Sequence, residues 1–335
     1  MYKSKRILML VLLLLLLGAC NKDKDNDGDS KTPADTVTLQ LSWVHEYSSS
    51  PFYAAEKNGR FADQNLSVQL LEGGFGESGY IEPIDEVISG DAQFGLSSGV
   101  ALLQARAEGK PVVAVLSMLQ RSPFAIISLN DSEILTPQDL IGKTVAVNDG
   151  GARQIYDAML VSQGIDLAEV NTISRLEFGI DPLVNGEVDA IGGWIINEGV
   201  LVQEAGHEPN FILLSDYGFD TYDFVVFTSQ SLVDDSPDLI QRFVSAVVAG
   251  IDDVVANPSQ AVTYVRDYAP DLDTEGQRRR LDASIPLMNV PGIPHGFMQP
   301  EIWSVTYQIL VDQGGLDETF NLESAYTLGF LNTEE

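Results

Sequence analysis

The regular alternation of short β-rich runs with helical patterns is the feature that most constrains the fold of this chain. The first series predicts strands at 37–43, 67–72, 92–96, 112–119 and 124–129, with helices at 52–58, 81–89 and 100–108. A second series predicts strands at 144–148, 172–176, 190–194 and 211–214, with helices at 152–163, 182–185 and 196–204. After one more strand at 224–228, helices are predicted at 237–256, 259–268, 275–284 and 301–313. Such alternation indicates parallel βαβ units, so we expect an α/β protein.

The most economical arrangement of these elements is two α/β lobes joined by two crossing segments. Residues 36–127 and 225–335 are expected to form the first lobe, and residues 128–224 to be inserted as the second. Two crossings make a hinge. The cleft between such lobes is lined by strand carboxyl ends and helix amino ends, where open α/β sheets bind ligands.

The amino-terminal residues have the pattern of an export signal followed by a lipid attachment site. Three cations precede an unbroken apolar run of 11 residues, Ile7–Leu17, which continues as Gly18-Ala19-Cys20. A helix that spans ~30 Å of hydrocarbon needs roughly 20 residues, so a permanent transmembrane helix is not expected. Cys20 is the only cysteine, which excludes an intrachain disulfide and leaves lipidation as the reason for its position.

We therefore expect residues 1–19 to be a signal peptide and residues 20–35 to be a lipidated tether. The tether lacks aromatic and branched apolar side chains after Cys20, so it cannot bury enough surface to order itself. These features predict a protein held outside the cytoplasm on the cell membrane.

Charge and metal-ligand spacing exclude several classes of partner. The chain has 49 acidic and 19 basic residues, a net charge of -30, which repels nucleic acid and anionic lipid surfaces. The acidity could equally be a solubility device for salty surroundings. The three histidines stand far apart and no cysteine cluster exists, so neither a metal nor a cofactor is expected.

Candidate ligand-binding residues of the first lobe lie where strands end and helices begin. The segment after the first strand offers Trp43, His45, Glu46, Tyr47 and Ser49. If the strand continues, Trp43, His45 and Tyr47 share one alternating face, which is either cleft wall or sheet core. The third strand ends in Ser97 and Ser98, which form a natural helix cap that a ligand could share.

The second lobe offers a similar set of candidates. Asp149 and Arg153 lie in a strand-loop-helix segment without the P-loop lysine. Trp194, Asn197 and Glu198 follow another strand, and a ring exposed in a cleft could stack on a flat ligand. Tyr222, with Asp220 and Asp223, lies at the return crossing, which is either part of the site or a solvated hinge turn.

Several segments, taken in order, resemble type II substrate-binding proteins of ABC importers. They are residues 39–70 with Trp43 and FYAAEKNGRF at 52–61, ISGDAQFG at 88–95, LIGKTV at 140–145 and NGEVDA at 185–190. The pattern is most similar to the thiamine-pyrimidine-synthesis-like and sulfonate-binding-like family. That resemblance implies a two-lobed type II periplasmic-binding-protein fold.

The resemblance also implies a function, which is to capture a small molecule for an ABC permease without catalysis; we expect a monomer. Family cargo includes formylated aminopyrimidines, riboflavin, nitrate, taurine and alkanesulfonates. Relatives that bind pyrimidine precursors show Trp-x-Pro-Asn after the first strand, whereas this chain has Trp43-Val44-His45-Glu46. The departure favours a flavin or another heteroaromatic, and nitrate, taurine or a sulfonate remains the alternative.

Two alternatives from other classes follow from the same resemblance. A pyrimidine-precursor synthase of the fungal type would consume its own histidine and carry a cysteine-rich iron motif, but this chain has one cysteine. A sensing lobe of a receptor would need a transmembrane helix and a cytoplasmic domain downstream, and we expect neither.

Overall fold

The computed structural model describes residues 33–77, 79–176 and 179–331, so the predicted signal peptide and most of the predicted tether, with Cys20, lie outside the described residues. The described strands are β1 Asp35–Gln40, β2 Leu66–Leu71, β3 Gly74–Gly76, β4 Gly79–Ile81, β5 Phe94–Ser97, β6 Val112–Ser117, β7 Phe124–Leu129, β8 Thr144–Val147, β9 Asn171–Ser174, β10 Ala190–Trp194, β11 Pro209–Leu213 and β12 Val225–Ser229.

The helices alternate with these strands and then dominate the carboxyl-terminal third. They are α1 Ser50–Lys57, α2 Arg60–Asp63, α3 Pro83–Ser89, α4 Gly99–Ala107, α5 Gly151–Ser162, α6 Asp181–Val184, α7 Val200–Glu204, α8 Gln230–Asp235, α9 Pro237–Ala256, α10 Pro258–Tyr268, α11 Thr274–Met288 and α12 Pro300–Asp312. No helix among the described residues is both long and apolar enough to cross a membrane.

Two five-stranded sheets organise the molecule, and each defines a lobe. The first sheet has the order β2-β1-β5-β12-β6, and the second has the order β11-β7-β10-β8-β9. All of β7 pairs within the second sheet, so the boundary expected between residues 127 and 128 falls inside a strand. The boundary expected between residues 224 and 225 coincides with the start of β12.

The sheets are mixed, which corrects the expectation of purely parallel βαβ units. β12 is antiparallel to both of its neighbours, and so is β7. These are the two strands that enter a lobe directly from a crossing segment. Because no helix returns the chain to the starting edge before either strand, each one runs against its neighbours.

The apolar core covers both faces of the first sheet and continues into the second lobe. Helices α1, α9 and α10 cover one face, where Phe94 stacks on Phe243 with ring centroids 3.8 Å apart. On the other face, buried side chains of α4, α5 and α12 form one cluster with strands of both sheets. Helix α12, which carries the buried Trp303, therefore packs against both lobes.

The first strand is shorter than predicted, and this changes the geometry of the loop after it. β1 ends at Gln40, and Tyr47–Ser49 form a turn of 3-10 helix. The alternating face expected for Trp43, His45 and Tyr47 therefore does not exist. Backbone bonds hold the loop instead, because the amide of Gly73 donates to the carbonyl of Trp43 at 3.0 Å.

Candidate functional site

The two segments that cross between the lobes, 118–123 and 218–224, are bonded to each other. The amide of Ser122 donates to Asp220 Oδ1 at 2.8 Å, and its hydroxyl donates to Asp223 Oδ2 at 2.6 Å. Arg121 pairs with Asp216 at 2.9 Å. The predicted return crossing is therefore tied side by side to the outgoing one, as a hinge floor requires.

The carboxyl of Asp223 lies deep in this floor while its side chain stays partly accessible. Burial raises the pKa of Asp223 to about 7, against the bond from the Ser122 hydroxyl, which lowers it. Burial also raises the pKa of Asp220. Burial is therefore the main cause of the raised pKa at both carboxyls of the floor.

Residues from both lobes and both crossings meet above this floor. They enclose a space of about 10 Å³, lined by Tyr47, Ser48, Met118, Leu119, Ile196, Phe224, Ser284 and Met288. That volume holds about one water molecule, whereas ligand pockets measure roughly 300–1,000 Å³. The two lobes therefore meet across this cleft, an arrangement that we call the closed form, and a ligand can enter only if the lobes separate.

Trp43 lies at the rim of the first lobe rather than in the floor. Its half-buried ring meets Phe75 edge-on with centroids 6.0 Å apart. Phe75 belongs to the β3–β4 hairpin and is 65% exposed. The hydroxyl of Tyr80 ties the same hairpin to the carbonyl of Ser42.

His45 turns toward α1 and α10. Its Nδ1 is 2.8 Å from the hydroxyl of Tyr53, and its amide donates to Glu72 Oε1 at 3.0 Å. Its ring also packs against Tyr268, which itself stacks on Tyr53 at 4.2 Å. Burial lowers the pKa of His45, although the charge of Glu72 opposes this, so the imidazole is neutral at pH 7.

Glu46 carries the most perturbed carboxyl of the first-lobe loop. Burial raises its pKa to about 7, and the bond from the Ser48 hydroxyl at 3.0 Å lowers it. The charges of Arg280 and Glu198 also act on Glu46 in opposite directions. Glu198 belongs to the second lobe, so charged groups of both lobes lie near each other on this polar side of the cleft.

Tyr47 and Ser49 are buried in the closed form. Tyr47 is 1% exposed, packs in the core of the first lobe and lines the cleft. Its amide donates to Gln277 Oε1 of α11 at 2.7 Å. Ser49 is buried beside Tyr53, to which it is hydrogen-bonded.

Ser98 caps α4, as the sequence predicts. Its hydroxyl accepts the amide of Ala101 at 3.2 Å. Ser97 ends β5 opposite Val225 of β12 and is largely buried. The cap is confirmed, while sharing of either hydroxyl with a ligand stays a prediction.

Asp149 and Arg153 both have partners within the second lobe. The exposed Asp149 accepts the hydroxyl of Ser174 at 2.9 Å. Arg153 pairs with Asp157 one turn later on α5 at 2.7 Å. Neither side chain reaches the enclosed space between the lobes.

The end of β10 is built around a buried ion pair that the sequence does not indicate. Arg175 Nη1 lies 3.1 Å from Glu198 Oε1, with side chains only 4% and 7% exposed. Glu198 Oε2 accepts the amide of Trp194 at 2.9 Å. Both oxygens of Glu198 thus have protein partners in the closed form, and a ligand contact at Glu198 stays a prediction.

Trp194 and Asn197 lie on either side of this carboxylate. Trp194 is half-buried, and its ring centroid is 5.2 Å from that of Phe224. Residues Ile195–Gly199 form a π-helix, a rare element found mostly at functional sites. Within it, Asn197 Oδ1 accepts Arg280 Nε at 3.1 Å.

Tyr222 lies behind the floor and does not line the enclosed space. It is 1% exposed, its hydroxyl accepts the amide of Gln299 at 2.6 Å, and its carbonyl accepts the amide of Gly99. Its ring packs against Trp303 of α12. The expected ligand contact of Tyr222 is therefore replaced by a packing role between the crossing and α12.

Sequence reasoning overlooked α11 as part of the site. Gln277, Arg280, Ser284 and Met288 recur at helical spacing along one buried face of this helix, and the last two line the cleft. Their spacing of three, four and four residues can be read from the sequence. Because three of the four side chains are polar, however, the pattern does not resemble an apolar core stripe. The helix was also expected to end at Ser284, before Pro286, whereas it continues to Met288.

A larger cavity than the interlobe space lies elsewhere in the first lobe. It measures about 280 Å³ and is lined by Val244, Ser245, Val248, Asp252, Pro294, His295, Phe297, Phe330 and Leu331. None of the predicted site residues lines it, and the second lobe contributes no lining residue. We therefore place the candidate site in the interlobe cleft, despite its small closed volume.

Comparison with known proteins agrees on family and fold. The sequence profile of the NMT1/THI5-like family matches residues 47–261. The riboflavin-binding protein RibY of Chloroflexus aurantiacus is 26% identical over 304 residues, which cover 88% of this chain and 86% of that protein. The formylaminopyrimidine-binding protein of Halalkalibacterium halodurans is 26% identical over 301 residues, covering 88% and 90%.

The family also contains proteins named as enzymes. The 4-amino-5-hydroxymethyl-2-methylpyrimidine phosphate synthase of Legionella pneumophila is 23% identical over 302 residues, covering 88% of this chain and 92% of that protein. Among solved structures, the periplasmic aliphatic sulphonate binding protein SsuA of Escherichia coli superposes with a TM-score of 0.68 at 12% identity, covering 87% of this chain and 91% of that one. The expected two-lobed periplasmic-binding-protein fold is confirmed.

Proposed function

The chain belongs to the NMT1/THI5-like family, and on that premise we propose that it binds a small heteroaromatic nutrient for an ABC importer. Riboflavin and formylated aminopyrimidines, the ligands named for two relatives, are the leading candidates. The observation that carries the proposal is the closed cleft, whose wall comes from both lobes, both crossings and α11.

The chemistry of that wall suits a flat and largely apolar ring. Tyr47, Phe224 and Met288 offer aromatic and thioether surfaces, and Trp194 lies next to Phe224. Aromatic rings pair in stacked or edge-to-face geometry, which favours a ring system over a compact ion. Ser48 and Glu46 supply polar groups at the edge.

Paired arginines argue against nitrate, taurine or an alkanesulfonate as cargo. Arg121, Arg175 and Arg280 lie around the cleft and are held by Asp216, Glu198 and Glu204. An anion bound to one of these arginines would compete with the carboxylate that already neutralises it. A neutral ligand meets no such competition.

Capture follows from the hinge. In the open form the ligand lies on the loop 43–49 of the first lobe, and the second lobe then closes with Trp194 and the π-helix. Contacts that exist only in the closed form shift the population toward it, and the permease distinguishes the two forms. Binding alone does this work, so we infer no catalysis.

Two features support a binding protein over a synthase. The only cysteine, Cys20, lies before the described fold, so an iron site of several cysteines cannot form within one chain. His45, the histidine of the first-lobe loop, is neutral and turned toward Tyr53 rather than into the cleft.

We further propose that the protein is a monomer anchored outside the cytoplasm through a lipid on Cys20. The lipobox sequence supports the anchor. Mass spectrometry of the membrane-extracted protein tests it: a diacylglyceryl mass on a chain that starts at Cys20 is expected. An unmodified cysteine would contradict the anchor while leaving the ligand proposal intact.

Thermal unfolding of the full chain in detergent tests the ligand class. Riboflavin or a formylated aminopyrimidine at about 100 times its Kd adds ~2.7 kcal/mol to the unfolding free energy, which raises Tm by several degrees. Nitrate and taurine should leave Tm unchanged. A shift with nitrate or taurine, and none with the heteroaromatics, would overturn the proposed ligand class.

A further inference from the structure

Helix α11 bridges the two lobes on the polar side of the cleft. It packs against α9 and α10 of the first lobe and against α7 and the π-helix of the second. Its buried stripe begins with Gln277, which accepts the amide of Tyr47, and continues through Arg280 to Ser284 and Met288. One helix face thus contacts the first-lobe loop, the cleft and the second lobe.

A cluster of ion pairs joins α11 to α7. Arg280 Nη2 lies 3.0 Å from Glu204 Oε2, and Arg279 Nε lies 3.0 Å from Glu204 Oε1. Arg280 also donates through Nε to Asn197 Oδ1. The Arg280 side chain is only 10% exposed, so solvent screens this cluster less than an ordinary surface pair.

Gly276 makes room for this close approach. A Cβ at this position would lie 2.8 Å from Arg280 Nη1, closer than real Cβ atoms approach another atom, and 3.0 Å from Asp273 Oδ2, a tight contact. The amide of Gly276 donates to the same Asp273, which caps the helix. The local sequence therefore leaves space for the guanidinium to reach across to Glu204.

From this geometry we propose that Arg280 is a positioning residue for ligand capture, which clasps the second lobe to the first through Glu204. The proposal rests on the proposed function in that the clasp sets how long a ligand stays enclosed. Separation of the lobes breaks the contacts of Arg280 and Arg279 with Glu204, so the cluster stabilises the closed arrangement. Around a ligand the cleft widens while α11 and α7 stay paired through these contacts. None of these residues needs to touch the ligand.

Ligand release tests the clasp, with riboflavin as the probe and the full chain in detergent. Glu204→Gln and Arg280→Gln should each release riboflavin about 10-fold faster and bind it about 10-fold more weakly, measured by stopped-flow flavin fluorescence. The effect of the double variant should be smaller than the two single effects combined, because the Arg280–Glu204 contact is lost in each single variant. Arg280→Lys, which keeps the charge, should recover part of the loss.

Arg278→Gln is the matched control on the same helix. Arg278 pairs only with Glu275 and Asp282 of α11 among the described residues, so its loss should leave release unchanged. If Arg280→Gln fails to fold, Glu204→Gln carries the test, since its amide keeps the shape of the carboxyl. Equal release rates for Glu204→Gln and wild type would overturn the proposal.

Hydrogen exchange without any ligand separates this proposal from the proposed function. In the clasp variants, peptides covering 44–48 and 194–199 should exchange faster than in wild type and in Arg278→Gln. If riboflavin does not bind wild type, riboflavin is not the ligand, and this measurement still tests the clasp. Unchanged exchange in Glu204→Gln would overturn the proposed role of Arg280 and Glu204 and would not bear on the ligand class.

Discussion

Glu46 and Asp223 stand out among the side chains around the cleft because protein surrounds their carboxyls on nearly every side. The pKa of each is raised to about 7, mainly by burial. Their nearest hydrogen-bond donors are single serine hydroxyls, those of Ser48 and Ser122. Two carboxyls that change charge near neutral pH make the stability of the closed form depend on pH.

For Asp223 the sign of that dependence follows from the direction of the pKa change. The folded chain keeps the proton at pH values where the unfolded chain has lost it. The group therefore contributes most to the stability of the folded chain below about pH 4. This contribution falls as the pH rises toward 7 and is absent above it. At about 1.4 kcal/mol per pKa unit, the effect is at most on the order of 4 kcal/mol.

Asp223→Asn should therefore raise Tm at pH 8 and leave it nearly unchanged at pH 4, because an amide can still accept from Ser122 and has no charge to bury. Thermal unfolding at pH 4, 6 and 8 measures this. Asp131→Asn, at an exposed carboxyl, controls for the loss of one negative charge. A Tm gain of the same size at every pH would contradict a raised pKa for Asp223.

Trp194→Ala tests the aromatic wall. We expect riboflavin affinity to fall by about 10-fold or more, because a stacked ring pair contributes roughly 0.5–1.5 kcal/mol beyond its buried area. Trp194→Phe keeps a ring beside Phe224 and should recover most of the affinity. Isothermal titration gives both constants, and an unchanged Kd for Trp194→Ala would assign this ring to packing alone.

Among the elements, the π-helix 195–199 depends most on partners distant in sequence. Arg175 also donates to the carbonyls of Gly192 and Gly179, so one guanidinium holds the end of β10 and the segment before α6. Glu198 completes the set by binding both Arg175 and the amide of Trp194. The π-helix therefore holds Trp194 beside Phe224, which lines the cleft, and Asn197 beside Arg280.

Glu198→Ala should destabilise the protein by about 3–5 kcal/mol, since it leaves the buried Arg175 without its counter-ion. Urea unfolding measures the change. Asp157→Ala removes the partner of Arg153 on the surface of α5 and should cost no more than about 0.5 kcal/mol. Equal losses of unfolding free energy in the two variants would show that the buried pair contributes no more to stability than the pair on α5.

For the molecule as a whole, the dominant electrostatic fact is the net charge of -30. Like charges spread over one compact chain repel each other, and folding brings them closer together. The ion pairs of the hinge floor and of α11 offset this repulsion only locally. The closed form is therefore expected to be sensitive to ionic strength.

Raising KCl from 0.05 M to 1 M should increase Tm by several degrees. At 1 M salt the screening length falls to about 3 Å, which weakens repulsion between exposed carboxylates more than it weakens close ion pairs. Scanning calorimetry measures the trend, and sucrose at matched osmolality is the control. A Tm that stays flat or falls with KCl would show that self-repulsion is unimportant here.

Sequence reasoning succeeded where a structural feature depends on neighbouring residues. The helix at 237–256 is confirmed to its ends, and so is the cap at Ser98, because helical periodicity and capping act within one or two turns. The return crossing also lies where expected, just before β12, whereas the outgoing crossing precedes β7, a strand that the first predicted series includes. The first strand was drawn too long, since the residues after Gln40 are held by β2 and its hairpin rather than by their own propensity.

The sequence by itself determined that this is an α/β chain with two lobes, and it named Trp43, Glu46, Tyr47, Trp194 and Glu198 as candidates at strand ends. Only the tertiary structure decided that β7 and β12 run antiparallel, that Arg175 neutralises Glu198 and that Arg280 reaches Glu204. The physical reason is range: propensity and capping act between neighbours, whereas charges from distant segments choose partners only after packing brings them together.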